Sequence, residues 1–337
     1  MKKLVFSVVA AIALATPALA ADLKMLTKAP PPPPSPWDLA FGDAIMTDYE
    51  WRGITQSNHR GSVATYFEPR YNFSDSLQGY LGLSGESVDF ANHAAAEIDF
   101  YGGIRPTFGK LALDFGAWLY YYPGGQCFSA GGVPGGLTGG AACGGFSAGD
   151  NWQGGALPNA NVAKAWASFY EIYGKGTFTI SDQWSVGAQV YYSPSVSNTG
   201  ANGTYVAGTI KFTAPMGMPL PKDVGWYASA DGGYWWLGTT DAFYGTGIGT
   251  AYAGGVPLTS YANIDVGFGF TWKVFTLDFR YYDTNLSKAD CNAFTSDHTA
   301  KFSGDFSPIN PSGVGSNWCS QTVVVKLSSD LTLANLK

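Results

Sequence analysis

The chain has 337 residues, of which 15% are aromatic, 44 are glycine and only 13% carry charge. The charged fraction is about half that of a soluble domain, which fits a chain whose outer wall meets lipid. A net charge of −6 argues against nucleic acid as a partner, because phosphate contacts need a basic surface.

Residues 1–20 read as a signal peptide. Lys2 and Lys3 form the charged start, Leu4 to Leu14 the apolar run, and Ala18-Leu19-Ala20 the small-residue cleavage site. Export is therefore expected. No other stretch reaches the roughly 18 consecutive apolar residues of a membrane-spanning helix. Residues 21–36, ending in KAPPPPPSP, read as a proline-rich periplasmic linker, and 37–337 as the folded domain.

From Asp38 the pattern has period 2, which places alternate side chains on opposite faces of a strand. The first strand is expected from Asp38 to Trp51, with Leu39, Phe41, Ile45, Tyr49 and Trp51 on one face. Asp43 breaks that face and suggests a rim position or a bulge. Further strands are expected at Val63–Phe73 (weakened by Pro69), Leu77–Val88, Glu97–Phe108, Leu111–Tyr122, Ala163–Phe178, Gln183–Tyr192, Thr204–Ala214 and Asp223–Leu237.

The clearest pair follows at 261–283. Ala262, Ile264, Val266, Phe268, Phe270 and Trp272 alternate with Asn263, Asp265, Gly267, Gly269, Thr271 and Lys273. After a tight turn, Phe275, Leu277, Phe279 and Tyr281 alternate with Thr276, Asp278, Arg280 and Tyr282. Two strands of about 11 residues, tilted about 45°, match a bilayer's hydrocarbon thickness. A last strand is expected near Gln321–Leu327.

Connections 74–76, 109–110, 180–182, 215–222 and 273–274 are short. The alternate ones, 52–62, 89–95, 123–162, 193–203, 238–260 and 284–318, are longer and polar or glycine-rich. Short inner turns and long outer loops characterise outer-membrane barrels. The expectation is an all-β fold, a transmembrane antiparallel up-and-down β-barrel of about twelve strands in the outer membrane. Aromatics near the strand ends (Trp37, Tyr49, Trp51, Tyr120 to Tyr122, Trp184, Tyr191, Tyr192, Trp226, Tyr234 to Trp236, Trp272, Tyr281) are expected to form interfacial girdles.

The faces opposite the apolar ones carry charge. Glu68, Arg70, Glu97, Asp99, Arg105, Asp114, Lys211, Asp265, Asp278 and Arg280 are expected to line a lumen, together with Asp48, Glu50, Lys175 and Asp231. Mixed charges on an inner wall either border water or pair and plug the space. The slight acidic excess points to cation preference.

Cys127, Cys143, Cys291 and Cys319 fall in or beside two long loops. An oxidising compartment favours disulfides, and the within-loop pairs Cys127–Cys143 and Cys291–Cys319 are expected. No C-x-x-C spacing suggests a metal, and neither cofactor nor metal is expected. His59, His93 and His298 lie in separate loops, where a shared metal site would need three distant segments to converge. A hydrolase would need His59 beside a nucleophile such as Ser57 or Ser62. The glycine cluster at 131–145 lacks the G-K-[ST] ending of a phosphate loop.

The segment Thr47-Asp48-Tyr49-Glu50-Trp51-Arg52-Gly53-Ile54-Thr55-Gln56 is similar to the S-D-Y-x-x-R-G-[IV]-S-Q pattern of the TorF-type porins, a family of proteobacterial outer-membrane proteins. Glu97-Ile98-Asp99-Phe100-Tyr101-Gly102-Gly103, Leu119-Tyr120-Tyr121-Tyr122-Pro123-Gly124, Phe169-Tyr170-Glu171 and Tyr191-Tyr192-Ser193-Pro194 extend the resemblance over about residues 40–215. It implies an outer-membrane barrel without catalytic residues or a defined substrate. The chain ends Asn335-Leu336-Lys337, whereas such barrels often end on an aromatic residue. The functional expectation is a non-enzymatic, porin-like channel for small hydrophilic solutes or ions, its partners being those solutes and outer-membrane lipid. Loop 123–162 is the segment expected to fold inward and narrow it. The alternatives are a closed structural or adhesive barrel displaying disulfide-stapled loops and, behind it, an outer-membrane lipid hydrolase.

Overall fold

The computed structural model describes residues 36–129, 162–217, 219–245 and 251–333. Twelve antiparallel strands close on themselves: β1 (Trp37–Met46), β2 (Ser62–Ser74), β3 (Leu77–Glu86), β4 (Glu97–Phe108), β5 (Leu111–Tyr121), β6 (Phe169–Thr179), β7 (Trp184–Ser193), β8 (Gly203–Thr213), β9 (Val224–Leu237), β10 (Tyr261–Trp272), β11 (Phe275–Thr284) and β12 (Thr322–Thr332). Each strand pairs with its sequence neighbours, and β12 returns to β1 through Ala40↔Thr332 to Met46↔Lys326. Closure matters because an open edge in hydrocarbon would leave backbone N–H and C=O groups unsatisfied. Strand lengths of 10 to 14 residues suit a bilayer. Among the described residues no helix is long and apolar enough to cross a membrane.

The core of this molecule is inverted relative to a soluble sheet protein. Leu81 and Val323 are 70% and 62% exposed, and Phe100, Ile104, Ile264, Val266 and Phe268 are exposed beside them. These outward residues form the lipid face. Exposed Trp37, Phe73, Phe108, Trp184, Trp272 and Phe275 ring the short-turn end, and Tyr170, Tyr192 and Trp236 the long-loop end, which is the girdle arrangement.

Several boundaries and facings differ from expectation. β1 stops at Met46; Glu50–Trp51 belong instead to a separate two-residue ladder with Ile54–Thr55. Tyr49, Trp51, Tyr120, Tyr122, Tyr191 and Trp235 are therefore not girdle residues. They pack inward with the chain that fills the outer mouth. β6 begins at Phe169 rather than Ala163, since Val162–Ala163 pair with Phe128–Ser129. Asp43 sits within β1 without a bulge, opposite Thr65 and Ser329, and accepts a hydrogen bond from Ser329 Oγ at 3.1 Å. That polar pair interrupts the apolar outward pattern and hides the end of β12, which runs five residues past Leu327. Pro69 is accommodated in β2: it aligns with Leu39 of β1, and the β2–β3 ladder skips Glu68 and Pro69 but resumes in the same register at Arg70↔Tyr80, shifting only between Asn72 and Ser74.

Candidate functional site

The lumen holds two charged clusters on its wall and a hairpin across its outer mouth. In the first cluster Arg105 reaches Glu68 through Nη1 (2.7 Å) and Nη2 (3.1 Å) and Asp114 through Nε (3.3 Å), while Arg70 Nε donates to Glu68 at 2.5 Å. The Tyr80 ring lies 3.6 Å from the Arg105 guanidinium carbon, and its hydroxyl donates to Asp114 at 2.5 Å. In the second, Arg280 meets Asp265 (2.5 Å), Asp278 (3.2 Å) and Asp231 (3.7 Å), and Tyr227 donates to Asp278 at 2.6 Å. With Asp38, 3.8 Å from Arg70, the first cluster holds three carboxylates to two guanidinium groups, and the second holds three to one. Lys211 lies over the Tyr227 ring at 4.3 Å and Lys175 over Tyr173 at 4.5 Å. Glu97 and Asp99 stand apart at the outer end of β4, both buried. A recess of about 400 Å³ opens at the short-turn end, bordered by Asn72, Gln78, Arg105, Asp114, Lys175 and Thr177.

The outer mouth is crossed by segment 47–61. Glu50↔Thr55 and Trp51↔Ile54 form a two-residue hairpin whose tip, Arg52-Gly53, has φ of 52° and 76°. Two positive φ values define the type I′ turn that suits a tight hairpin. Glycine is needed at 53 for a second reason. A Cβ there would press on the Thr284 methyl and on Asn263, so the tip lies against the β10–β11 wall.

Arg52 then reaches strands on the far side of the ring from β1 and β2. It donates Nη1 to Glu171 Oε1 (2.9 Å) and Nη2 to Oε2 (2.7 Å), a bidentate pair that Tyr120 OH joins at 3.1 Å. Its guanidinium carbon lies 4.3–4.4 Å from the rings of Trp51, Tyr205 and Trp235. The side chains of Arg52 and Glu171 are only 5% and 1% exposed. A cation caged by aromatic faces and paired in a fork is the arrangement in which burial of charge is compensated. Around it Ile54, Tyr205, Trp235, Tyr261, Cys291, Trp318 and Cys319 form a continuous buried cluster. Above the hairpin, Trp51, Gln56, Phe90, Asn92, Tyr122, Phe294 and Trp318 border a cavity of about 100 Å³.

The long loops do converge here. Asp89 accepts from Arg60 (3.0 Å) and Asn58 (3.1 Å), and His298 approaches it at 3.5 Å. The His93 and His298 rings are 5.5 Å apart. Cys291 and Cys319 are bonded to each other; the expected Cys127–Cys143 pair, like the proposed inward fold of 123–162, extends into residues outside those described. A short helix, α1 (Lys288–Thr295), carries Cys291; its N-cap Ser287 accepts from Asp290 N–H at 3.0 Å. The signal was in the sequence as Ser287-x-x-Asp290, a capping pattern.

Ser57 and His59 do not bond each other. Asp48 accepts from Thr55 (2.5 Å), Ser57 (2.9 Å) and His59 Nδ1 (2.7 Å), while His59 Nε2 faces the Asn317 carbonyl at 2.9 Å. Neither partner of the imidazole can donate, so only the cation satisfies both nitrogens. The hydrogen bond to Asp48 accordingly raises the His59 pKa, against the opposing effect of burial; the Asn317 carbonyl and Asp297 add to the rise. Beside it, burial and then Asp48 push the Glu50 carboxyl up to about 10. A raised histidine pKa contributes stability that is complete below the unfolded value of about 6.5 and is lost as pH rises through the folded value. The 47–61 to 317 tether should therefore loosen above that window. Protease accessibility of segment 47–61 is expected to rise between pH 6 and pH 9 in the wild type and to stay flat in His59→Gln. An unchanged pH response in His59→Gln would remove His59 from this role.

A family model described as a bacterial protein of unknown function (Gcw_chp) matches residues 31–131. No curated protein matches the chain. Among solved structures, the NanC porin aligns at 6% identity over 88% of this chain and 100% of that one, with a TM-score of 0.37. The KdgM porin aligns at 9% identity over 87% and 98%, with a TM-score of 0.35. OmpT, an outer membrane protein of Vibrio cholerae, aligns at 11% identity over 88% and 96%, with a TM-score of 0.34. None reaches one half, so the closed barrel rests on this chain's own strand ladders.

Proposed function

We propose that the protein is a porin-type barrel of the bacterial outer membrane that passes small hydrophilic solutes or ions, with its outer mouth stoppered by the hairpin at 50–55. The observation that carries this reading is the contrast between the two ends of the lumen. The short-turn end is a polar recess walled by charge, which a purely structural barrel has no need to keep. The long-loop end is closed by the hairpin, which the Arg52–Glu171 pair, the buried cluster around Trp235 and Trp318, and the His59 contact with Asn317 hold in place. The resemblance to the TorF-type porins supports the same reading, and it brings no enzymatic role.

A closed structural barrel is the second reading, favoured by the full burial of Arg52 and Glu171. The test is efflux from liposomes loaded with salts and with sugars of rising size. The porin reading expects slow, size-limited efflux, with cations faster than anions. Neutralising the second cluster (Asp265→Asn with Asp278→Asn) should weaken that preference. Liposomes that hold both salt and sugar, with the protein folded in them, would favour the closed barrel.

A further inference from the structure

Three carboxylates meet at the outer end of the lumen without a cationic partner. Glu86 closes β3 and Glu97 opens β4, directly opposite each other in the ladder, and Ser84 and Asp99 form the next inward pair. Like charges opposite one another destabilise a strand pair. Yet one carboxylate oxygen from each of Glu86, Glu97 and Asp99 lies within 4.8 Å of the other two. Among the described residues no arginine, lysine or histidine forms an ion pair with any of the three. What they do have is hydroxyl donors. Tyr49 and Tyr122 donate to the two oxygens of Glu97 at 2.6 and 2.7 Å, and Ser84 donates to Asp99 Oδ2 at 3.0 Å.

Two oxygens are left over. Asp99 Oδ1 and Glu86 Oε2 are buried without a hydrogen bond, and Asp99 as a whole is 3% exposed. The Trp118 indole N–H faces Asp99 without closing a bond to it. Buried carboxylate oxygens without a partner are costly unless a counter-charge completes them.

We propose that Glu86, Glu97 and Asp99 form a binding site for a hard divalent cation, calcium foremost. The donor set is all oxygen, which excludes the nitrogen- and sulfur-rich environments that suit zinc or copper. Calcium accepts irregular carboxylate cages completed by a hydroxyl and water, whereas magnesium demands near-ideal octahedra at shorter distances. Ser84 Oγ and the partly open side of Glu86 supply room for both. The neighbouring trio Asp48, Glu50 and His59 fits a cation less well, because both His59 nitrogens are already engaged. Through Tyr49, which donates to Glu97, the bound cation fastens the root of segment 47–61 to the β3–β4 wall. The site does not depend on whether the lumen conducts.

The experiment uses the full-length protein refolded in micelles and stripped with chelator. Calcium chloride is titrated in a calorimeter, and terbium is titrated in parallel with its luminescence excited through tryptophan. One saturable site with Kd of about 10⁻⁴–10⁻³ M is expected, as for extracellular calcium modules. Glu86→Gln and Asp99→Asn should each weaken it at least tenfold, and Asp75→Asn, in the short turn at the other end, by less than twofold. Wild-type protein that shows no saturable site, its carboxylates holding protons instead, overturns the proposal whatever the variants do. Equal binding by wild type, Glu86→Gln and Asp99→Asn overturns it as well.

Discussion

Replacing Arg52 is expected to destabilise the folded protein by about 3–5 kcal/mol, the cost of leaving a buried carboxylate without its partner. Arg52→Asn is the informative variant, because asparagine tolerates the positive φ of the hairpin tip while removing the charge. Glu171→Gln should cost a similar amount by stranding the guanidinium among Trp51, Tyr205 and Trp235. The double variant should lose less than the two single losses summed, since neither partner is then left charged and alone. Urea unfolding in lipid vesicles measures all three. Additive losses would mean that the two side chains act independently and that the fork is not what holds the hairpin.

Opening the disulfide is the second large effect. Cys291 and Cys319 are 28 residues apart in sequence, and both are buried against Trp318, Ile54 and Trp235. Loop-closure entropy alone puts the loss for Cys291→Ser with Cys319→Ser at about 3–4 kcal/mol. The loss should be local, because the bridge lies outside the twelve-strand ladder. Cleavage after Lys301, which is exposed, should accelerate strongly in intact vesicles while the β-sheet signal of the barrel stays unchanged. Equal cleavage rates with and without the bridge would show that packing by α1 holds this loop instead.

The barrel was legible in the sequence because lipid enforces strict alternation: one misplaced face exposes charge to hydrocarbon. The hairpin 261–283 shows this most clearly, and its observed register follows the alternation residue by residue. Legibility failed where side chains turn away from lipid. Tyr49 and Trp51 continue the outward parity of β1 on paper, but the chain leaves the wall after Met46 and carries them into the mouth. Asp43 and Ser329 satisfy each other and so blur the end of β12.

The candidate site was visible only in fragments. Arg52 and Glu171 both lie in the segments that resemble the TorF-type porins, Trp51-Arg52-Gly53 and Phe169-Tyr170-Glu171. Nothing in a linear pattern says that residues 119 positions apart meet. Gly53 was the available clue, since glycine readily takes one of the two positive φ values of a type I′ turn, whereas an arginine at the other position is no turn signal. The clustering of Glu86 with Glu97 and Asp99 was hidden for the same reason. It depends on the exact register across the loop at 87–96.

Electrical recording of the refolded protein in planar bilayers tests most directly the claim that the hairpin at 50–55 is the stopper of a conducting lumen. Wild-type protein is expected to show small, infrequent steps, and Arg52→Asn, shown to be folded, larger and longer ones. Large steady steps from the wild type, or silence from folded Arg52→Asn, would contradict it.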